Sequence, residues 1–297
     1  MRAAHKSVSR PWLSTSHWLW PLALGVPFLF ALQVLDLDRA ASAFFYDPMS
    51  LSFPLRNDWW LTHVFHDGAK WTVIGFGFLV FAAWLLSFVW APLRCLRRLT
   101  FFLICGIGLT AAGIAVIKAF SSPACPYDLT IYGGLYPRLT FFERLPAGTS
   151  PGRCWPGGHA STAFSLFGLY FAARHESRSR LAFGLLLFVL LFGALLSVVQ
   201  VMRGAHFPSH QMWTALICWY ITAGVYNLVY GRPHTARNTA FASRRLAAPV
   251  VISNAVTVET GWACVVSTVS SISTADCGEH GCAKIVSGPE QTGFRIR

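Results

Sequence analysis

The sequence is short of charge. Asp, Glu, Lys and Arg make up 12% of its 297 residues, about half the share found in an ordinary soluble domain. That shortage argues against a water-soluble globule. Residues of the AVILMFWYC class fill the gap at 54%, and the mean hydropathy is +0.49. Acids are scarcer than bases, 12 against 24, for a net charge of +12. In a soluble protein such an excess would suggest nucleic acid. Here Lys and Arg collect in short loops beside apolar runs, as the positive-inside rule expects, so no nucleic-acid partner is expected. Part of this charge is available to anionic headgroups. The eight cysteines are too dispersed for a small secreted disulfide scaffold. No internal repeat is evident. The stretch from Met1 to Arg10 is basic, and the apolar run after it lacks a small-residue cleavage site, so it reads as a retained first span.

Crossing a bilayer takes roughly 20 apolar residues per helix. Six runs meet or approach that length: 17–35, 71–90, 100–120, 159–173, 181–202 and 211–230. The first contains Pro21 and Pro27, which spans tolerate better than soluble helices do. The fourth is short and must extend back to Trp155 or tilt less than its neighbours. Between the third and fourth lies 121–158, rich in Pro and Gly and too irregular to cross lipid. The expected organisation is a cytoplasmic N-terminus over 1–16, a six-span membrane domain over 17–230 and a disordered cytoplasmic tail over 231–297. Within the tail, 248–258 has strand-like composition. Cys277, His280 and Cys282 match no zinc spacing, and no metal site is expected.

Charge orients the path. The N-terminus, Arg94 to Arg98, Arg174 to Arg180 and the tail fall on one side, which before the tail carries a single acid, Glu176. The other side carries seven acids, Asp128 and Glu143 among them. The basic side is therefore cytoplasmic, and Lys118, His159 and His206 share the outer edge. His159 follows Pro156-Gly157-Gly158 at the start of the fourth run. His206 stands in Arg203-Gly204-Ala205-His206-Phe207-Pro208-Ser209-His210 before the sixth. Helix starts present free N–H groups and a positive dipole end to an anion. One histidine suits attack on phosphorus, the other suits protonation of a leaving oxygen, and cations neutralise the oxygens. His206 and His210 are four apart and share a helix face, so one ring is expected to orient the other.

These residues resemble the type 2 phosphatidic acid phosphatase superfamily, whose active-site architecture is shared with vanadium haloperoxidases. The family's motifs are Lys-x6-Arg-Pro, Pro-Ser-Gly-His and Ser-Arg-x5-His-x3-Asp. Here the first reads Lys118-x6-Cys125-Pro126, and the second reads Pro156-Gly157-Gly158-His159. In the third, Gln200 stands at the Arg position, His206 at the His and His210 at the Asp. The likeness covers roughly 60–230. It implies an all-α integral membrane fold, six transmembrane helices in a phosphatidic acid phosphatase/haloperoxidase-like bundle. It also implies a lipid phosphatase without cofactor, working through a phosphohistidine at the periplasmic face of a bacterial inner membrane. The implied partners are membrane lipids and a phosphorylated lipid substrate.

Carried over by position, His206 is the nucleophile and His159 the general acid. Lys118 and the backbone of Gly157 and Gly158 bind phosphate. Both motif arginines are absent, and Gly157 lacks the motif hydroxyl. Arg203, nearly one turn on from Gln200, is expected to reach the same oxygens, and Arg153 is a second candidate. A neutral His210 accepts a hydrogen bond from His206 but stabilises an imidazolium less well than a carboxylate, which predicts slower turnover or a steeper acid dependence. Cys125 and Cys154, one beside each of the first two motifs, are expected to form a disulfide. Cys95, Cys105 and Cys218 read as ordinary small apolar or loop residues. His63, His66 and Asp67 lie at helical spacing and read as a headgroup-facing surface. Two alternatives stay open: a lipid phosphotransferase, and a degenerate member that only binds anionic lipid.

Overall fold

The protein is described by a computed structural model, over residues 13–139 and 148–231. The tail, with its strand-like piece and its Cys277–His280–Cys282 cluster, lies outside the described residues, as do Met1 to Arg10 and Glu143. Among the described residues the chain is helical, with two isolated β-bridges in the loops, Asp47 with Ser52 and Leu129 with Tyr136.

The main helices are α1 (Thr15–Val34), α2 (Leu37–Ala43), α3 (Ala69–Val89), α4 (Arg97–Ala119), α5 (Ala160–Phe164), α6 (Phe167–His175), α7 (Ser179–Met202) and α8 (Pro208–Tyr230). Five stretches are long and apolar enough to cross a membrane: α1, Trp60–Val89, Ala91–Ala119, α7 and α8. Their outer faces carry large exposed apolar side chains, such as Leu24 and Phe30 on α1, Phe78 and Leu79 on α3, and Phe183 and Leu191 on α7. A continuous surface of this kind has no place in water and marks a lipid-facing belt.

The fourth apolar run behaves differently from the other five. It is two short helices, α5 and α6, broken at Ser165–Leu166. Ser165 Oγ donates to the Thr162 carbonyl at 2.8 Å, a back-bond that bends helices. The pair is buried between α4, α7 and α8. Phe164, Phe167 and Phe171 are in the core together with Phe102, Val189, Trp219 and Tyr226. The run lies inside the bundle.

Helix direction sets the two ends. At one end Arg98 donates to the Val229 carbonyl near the close of α8, and His175 meets Tyr226 and Tyr230. Lys118 closes α4 at the other end, some 20 residues or roughly 30 Å along the axis, where α7 finishes and α8 begins. The second run starts earlier than hydropathy alone suggests, as a π-helical stretch Trp60–Gly68 that leads into α3. Wide turns of this type recur at functional sites. Over the same end, the loops form a small aromatic core of Phe53, Leu129, Tyr132 and Phe207.

Candidate active site

The segment bearing His206 is shaped by the end of α7. Gly204 takes φ +65°, the left-handed conformation that ends helices at lowest cost in glycine. The N–H groups of Ala205 and His206 then turn back onto the Gln200 carbonyl, at 2.9 and 3.3 Å. Tyr127 N–H donates to the Gly204 carbonyl at 3.0 Å, tying the loop after Lys118 to this turn. Helix α8 opens with Pro208 in its first turn, where its missing N–H is not needed. The next donor, Ser209 N–H, reaches the buried Asp38 carboxylate of α2 at 2.9 Å.

The glycine loop is laid across the same end. Gly157 N–H donates to the His210 carbonyl at 3.3 Å, and Thr214 Oγ1 donates to the Gly157 carbonyl at 2.9 Å. Lys118 Nζ stands 3.5 Å from where a Cβ on Gly158 would be, so the ammonium rests directly over the loop. Cys125 and Cys154 are joined in a disulfide spanning 29 residues. The Cys154 sulfur lies 3.3 Å from His206 Nδ1. That nitrogen is therefore occupied on the loop side. The sulfurs and Nδ1 fall within 4.8 Å of one another; while the sulfurs are bonded to each other, neither offers the thiolate a metal needs.

The structure brings together most of the residues read from sequence. His159 and His206 are buried, at 8% and 5% exposure. His206 interacts electrostatically with His210, Lys118 and His159, and Arg203 acts on His159. The Arg203 Nε–H donates to the Arg56 carbonyl at 3.0 Å, which turns the side chain toward the loops. Arg153 is exposed. Burial, and then the charges of His210 and Lys118, hold the His206 imidazole well below its ordinary pKa. It is neutral at physiological pH, the state in which a ring nitrogen can attack phosphorus.

The His206–His210 geometry departs from the expected one. Their ring centroids are 5.8 Å apart and steeply tilted, and His210 Nδ1 is buried without a hydrogen-bond partner. The Cys154 main chain interacts with both rings. The loop at Cys154 thus lies against both rings, with no carboxylate at the place of the motif Asp.

Two contributors were not legible as such in the sequence. His66 stacks on His159 with centroids 4.0 Å apart, and His159 Nε2–H donates to the Phe65 carbonyl at 3.2 Å. The His63, His66 and Asp67 spacing flagged this stretch, but helical periodicity of 3.6 misplaces faces in a π-helix. Gln211 is 3% exposed with neither amide atom hydrogen-bonded, and nothing in its neighbours' spelling marks it.

Two cavities flank the site. One, about 600 Å³, runs between α3 and α4. Its polar end is His66, Lys118, Gly158 and His159, and its walls farther along are Ile74, Phe78, Phe81, Ile104 and Ile107. The other, about 480 Å³, lies beyond His210, between α1 and the loops, with Asp38 and Arg138 in its wall.

No curated protein and no solved structure gives a match. The family model of the PAP2 superfamily matches residues 99–233, a segment that holds Lys118, both glycines, His159, Arg203 and His206. Members of that superfamily are generally phosphatases, and the match over this segment supports membership of it.

Proposed function

We propose that this protein is a six-span membrane phosphatase that hydrolyses a phosphate or diphosphate monoester of a lipid at the periplasmic face of a bacterial inner membrane. The observation that carries the reading is the groove between α3 and α4. It joins a cationic, histidine-bearing end to an apolar trough whose Phe78 is largely exposed on the lipid-facing surface. A headgroup phosphate fits the first and an acyl or prenyl chain fits the second.

In this reading α5 and α6 together make the fourth crossing, inside the bundle. The neutral His206 attacks phosphorus and the P–O bond to the lipid breaks; His159, entering as the imidazolium with Nε2–H held by the Phe65 carbonyl, gives its Nδ1 proton to the departing oxygen and is left neutral. Lys118 and Arg203 neutralise the phosphoryl oxygens as charge builds. Water, with His159 now acting as base, then hydrolyses the phosphohistidine to free phosphate. His210 packs beside the nucleophile, with ring centroids 5.8 Å apart.

A second reading, phosphotransfer to another lipid, draws on the cavity beyond His210, which has room for an acceptor chain. Both are tested by purifying the protein in detergent and offering phosphatidic acid, phosphatidylglycerol phosphate, undecaprenyl diphosphate and lipid A with chelator present. Hydrolysis predicts free phosphate without any acceptor lipid. Transfer predicts phosphate release only as a phosphorylated second lipid. No turnover of any of these, or equal turnover by His206→Ala, would sink the catalytic assignment and leave an anionic-lipid-binding protein.

A further inference from the structure

The family motif carries a serine where this chain has Gly157, and a hydroxyl that would meet phosphate is thereby missing. We propose that the side-chain amide of Gln211 stands in its place and donates to the phosphoryl oxygens, making Gln211 a phosphate-binding residue of this site. This rests on the phosphatase reading above and names a ligand group that the motifs do not contain.

The space argument comes first. A Cβ built on Gly157 would lie 2.8 Å from Gln211 Cδ and 3.1 Å from Nε2, with Oε1 nearer still. Side-chain carbons do not approach this closely, so a serine at 157 and the glutamine in its present position exclude one another. The amide therefore occupies the volume into which the motif hydroxyl would project. The Gly157 backbone is held against α8: its N–H and carbonyl are both bonded there, through the His210 carbonyl and Thr214 Oγ1.

The hydrogen-bond argument is independent of it. Gln211 is 3% exposed, and neither Nε2 nor Oε1 has a partner. Burying an amide with both ends unmade is costly, and such a group in a native site calls for something that completes it. Lys118 Nζ stands over the next glycine, so the ammonium and the amide flank two successive residues of one loop. Gln211 also sits in the first turn of α8, where the helix dipole favours an anion. A half-turn about the terminal bond exchanges oxygen and nitrogen, so the donor can face the phosphate. Bound phosphate satisfies the donor that is orphaned without it.

The test is a rescue. Wild type, Gln211→Leu, Gly157→Ser and the double variant Gly157→Ser/Gln211→Ala are compared in detergent for kcat, KM and inhibition by inorganic phosphate. Gln211→Leu fills the same space without an amide. It should lower kcat/KM by about tenfold or more and weaken inhibition by phosphate to a similar degree. Gly157→Ser alone should be at least as impaired, because its Cβ displaces Gln211. The double variant should recover about tenfold over Gly157→Ser, since the hydroxyl then enters vacated space. Wild-type kinetics in Gln211→Leu, or full activity of Gly157→Ser, would overturn the proposal. So would a double variant that is monodisperse yet no better than Gly157→Ser. If the wild type turns over no lipid, the phosphatase reading fails on that result alone. Thermal protection by inorganic phosphate, present in wild type and absent in Gln211→Leu, still decides the role of Gln211.

Discussion

Removing the Cys125–Cys154 bridge should loosen the site more than it slows the chemistry. The bridge closes a loop of 29 residues. The chain-entropy relation gives about 3.6 kcal/mol at 25 °C for a loop of that length, a factor of roughly 400 in an opening equilibrium. The native loop has other restraints. Gly152, Arg153 and Cys154 donate their N–H groups to the carbonyls of Ser122, Ser121 and Pro123, at 3.0, 3.2 and 2.9 Å. Three such bonds contribute about 1 kcal/mol net apiece, enough to keep the closed loop populated once the sulfur link is gone. Cys125→Ala should therefore keep kcat within about tenfold of wild type while the loop opens far more often. The assay uses the thiol that the variant frees. Cys154 is fully buried, so it reacts with a maleimide only when the loop opens, and Cys125→Ala/Cys154→Ala measures the background from other cysteines. Labelling should be fast compared with folded-state expectations for a buried thiol, and heat inactivation should move to lower temperature. The opposite pattern, kcat down a hundredfold with heat inactivation unchanged, would refute this reasoning and make the disulfide part of the catalytic geometry.

The groove makes a prediction about chain length. Gly108 lines it, and a Cβ there meets nothing within 4 Å, so Gly108→Leu should fill the trough while gaining up to ~1 kcal/mol in helix propensity. KM should rise severalfold for long-chain phosphatidic acid and stay unchanged for a dibutanoyl analogue; an equal change for both would dissociate the groove from substrate binding. Loss of the stacked ring in His66→Ala should cost about 0.5–1.5 kcal/mol in the placement of His159. That is roughly a two- to twelvefold fall in kcat with KM unchanged, and full activity would show that His66 is a bystander. Burial, with His210 and Lys118 beside it, holds His206 well below its ordinary 6.5, so the acid limb of kcat/KM should lie below that value. Stability shares the sign: below 6.5 the unfolded chain binds a proton that the native ring refuses, so stability falls as pH drops toward the depressed folded value. An acid limb at or above 6.5, tracked with His206 intact, would contradict the neutral buried nucleophile.

Much of this protein is additive along the chain, and that part was readable from residues alone. Hydropathy located the long helices to within a few residues, except where the second begins some ten residues early as a π-helix. Loop charge and helix direction together put Lys118, His159 and His206 at one end, because each crossing reverses direction and spans a nearly constant length. Side-chain chemistry at those positions was legible for the same reason. What needed the tertiary structure was every relation between distant segments. Length and composition could not tell a lipid-facing helix from the buried, broken α5–α6 pair, since both are simply apolar; only packing against α4, α7 and α8 separates them. The contact of Phe65 with His159 joins residues 94 apart, through a helix whose period is not the usual one. Gly157 and Gln211 read separately as a lost hydroxyl and an unremarkable polar residue, and only their shared volume makes them one feature. Hydropathy and charge are properties of single residues, whereas exclusion of one side chain by another exists only once the chain has folded.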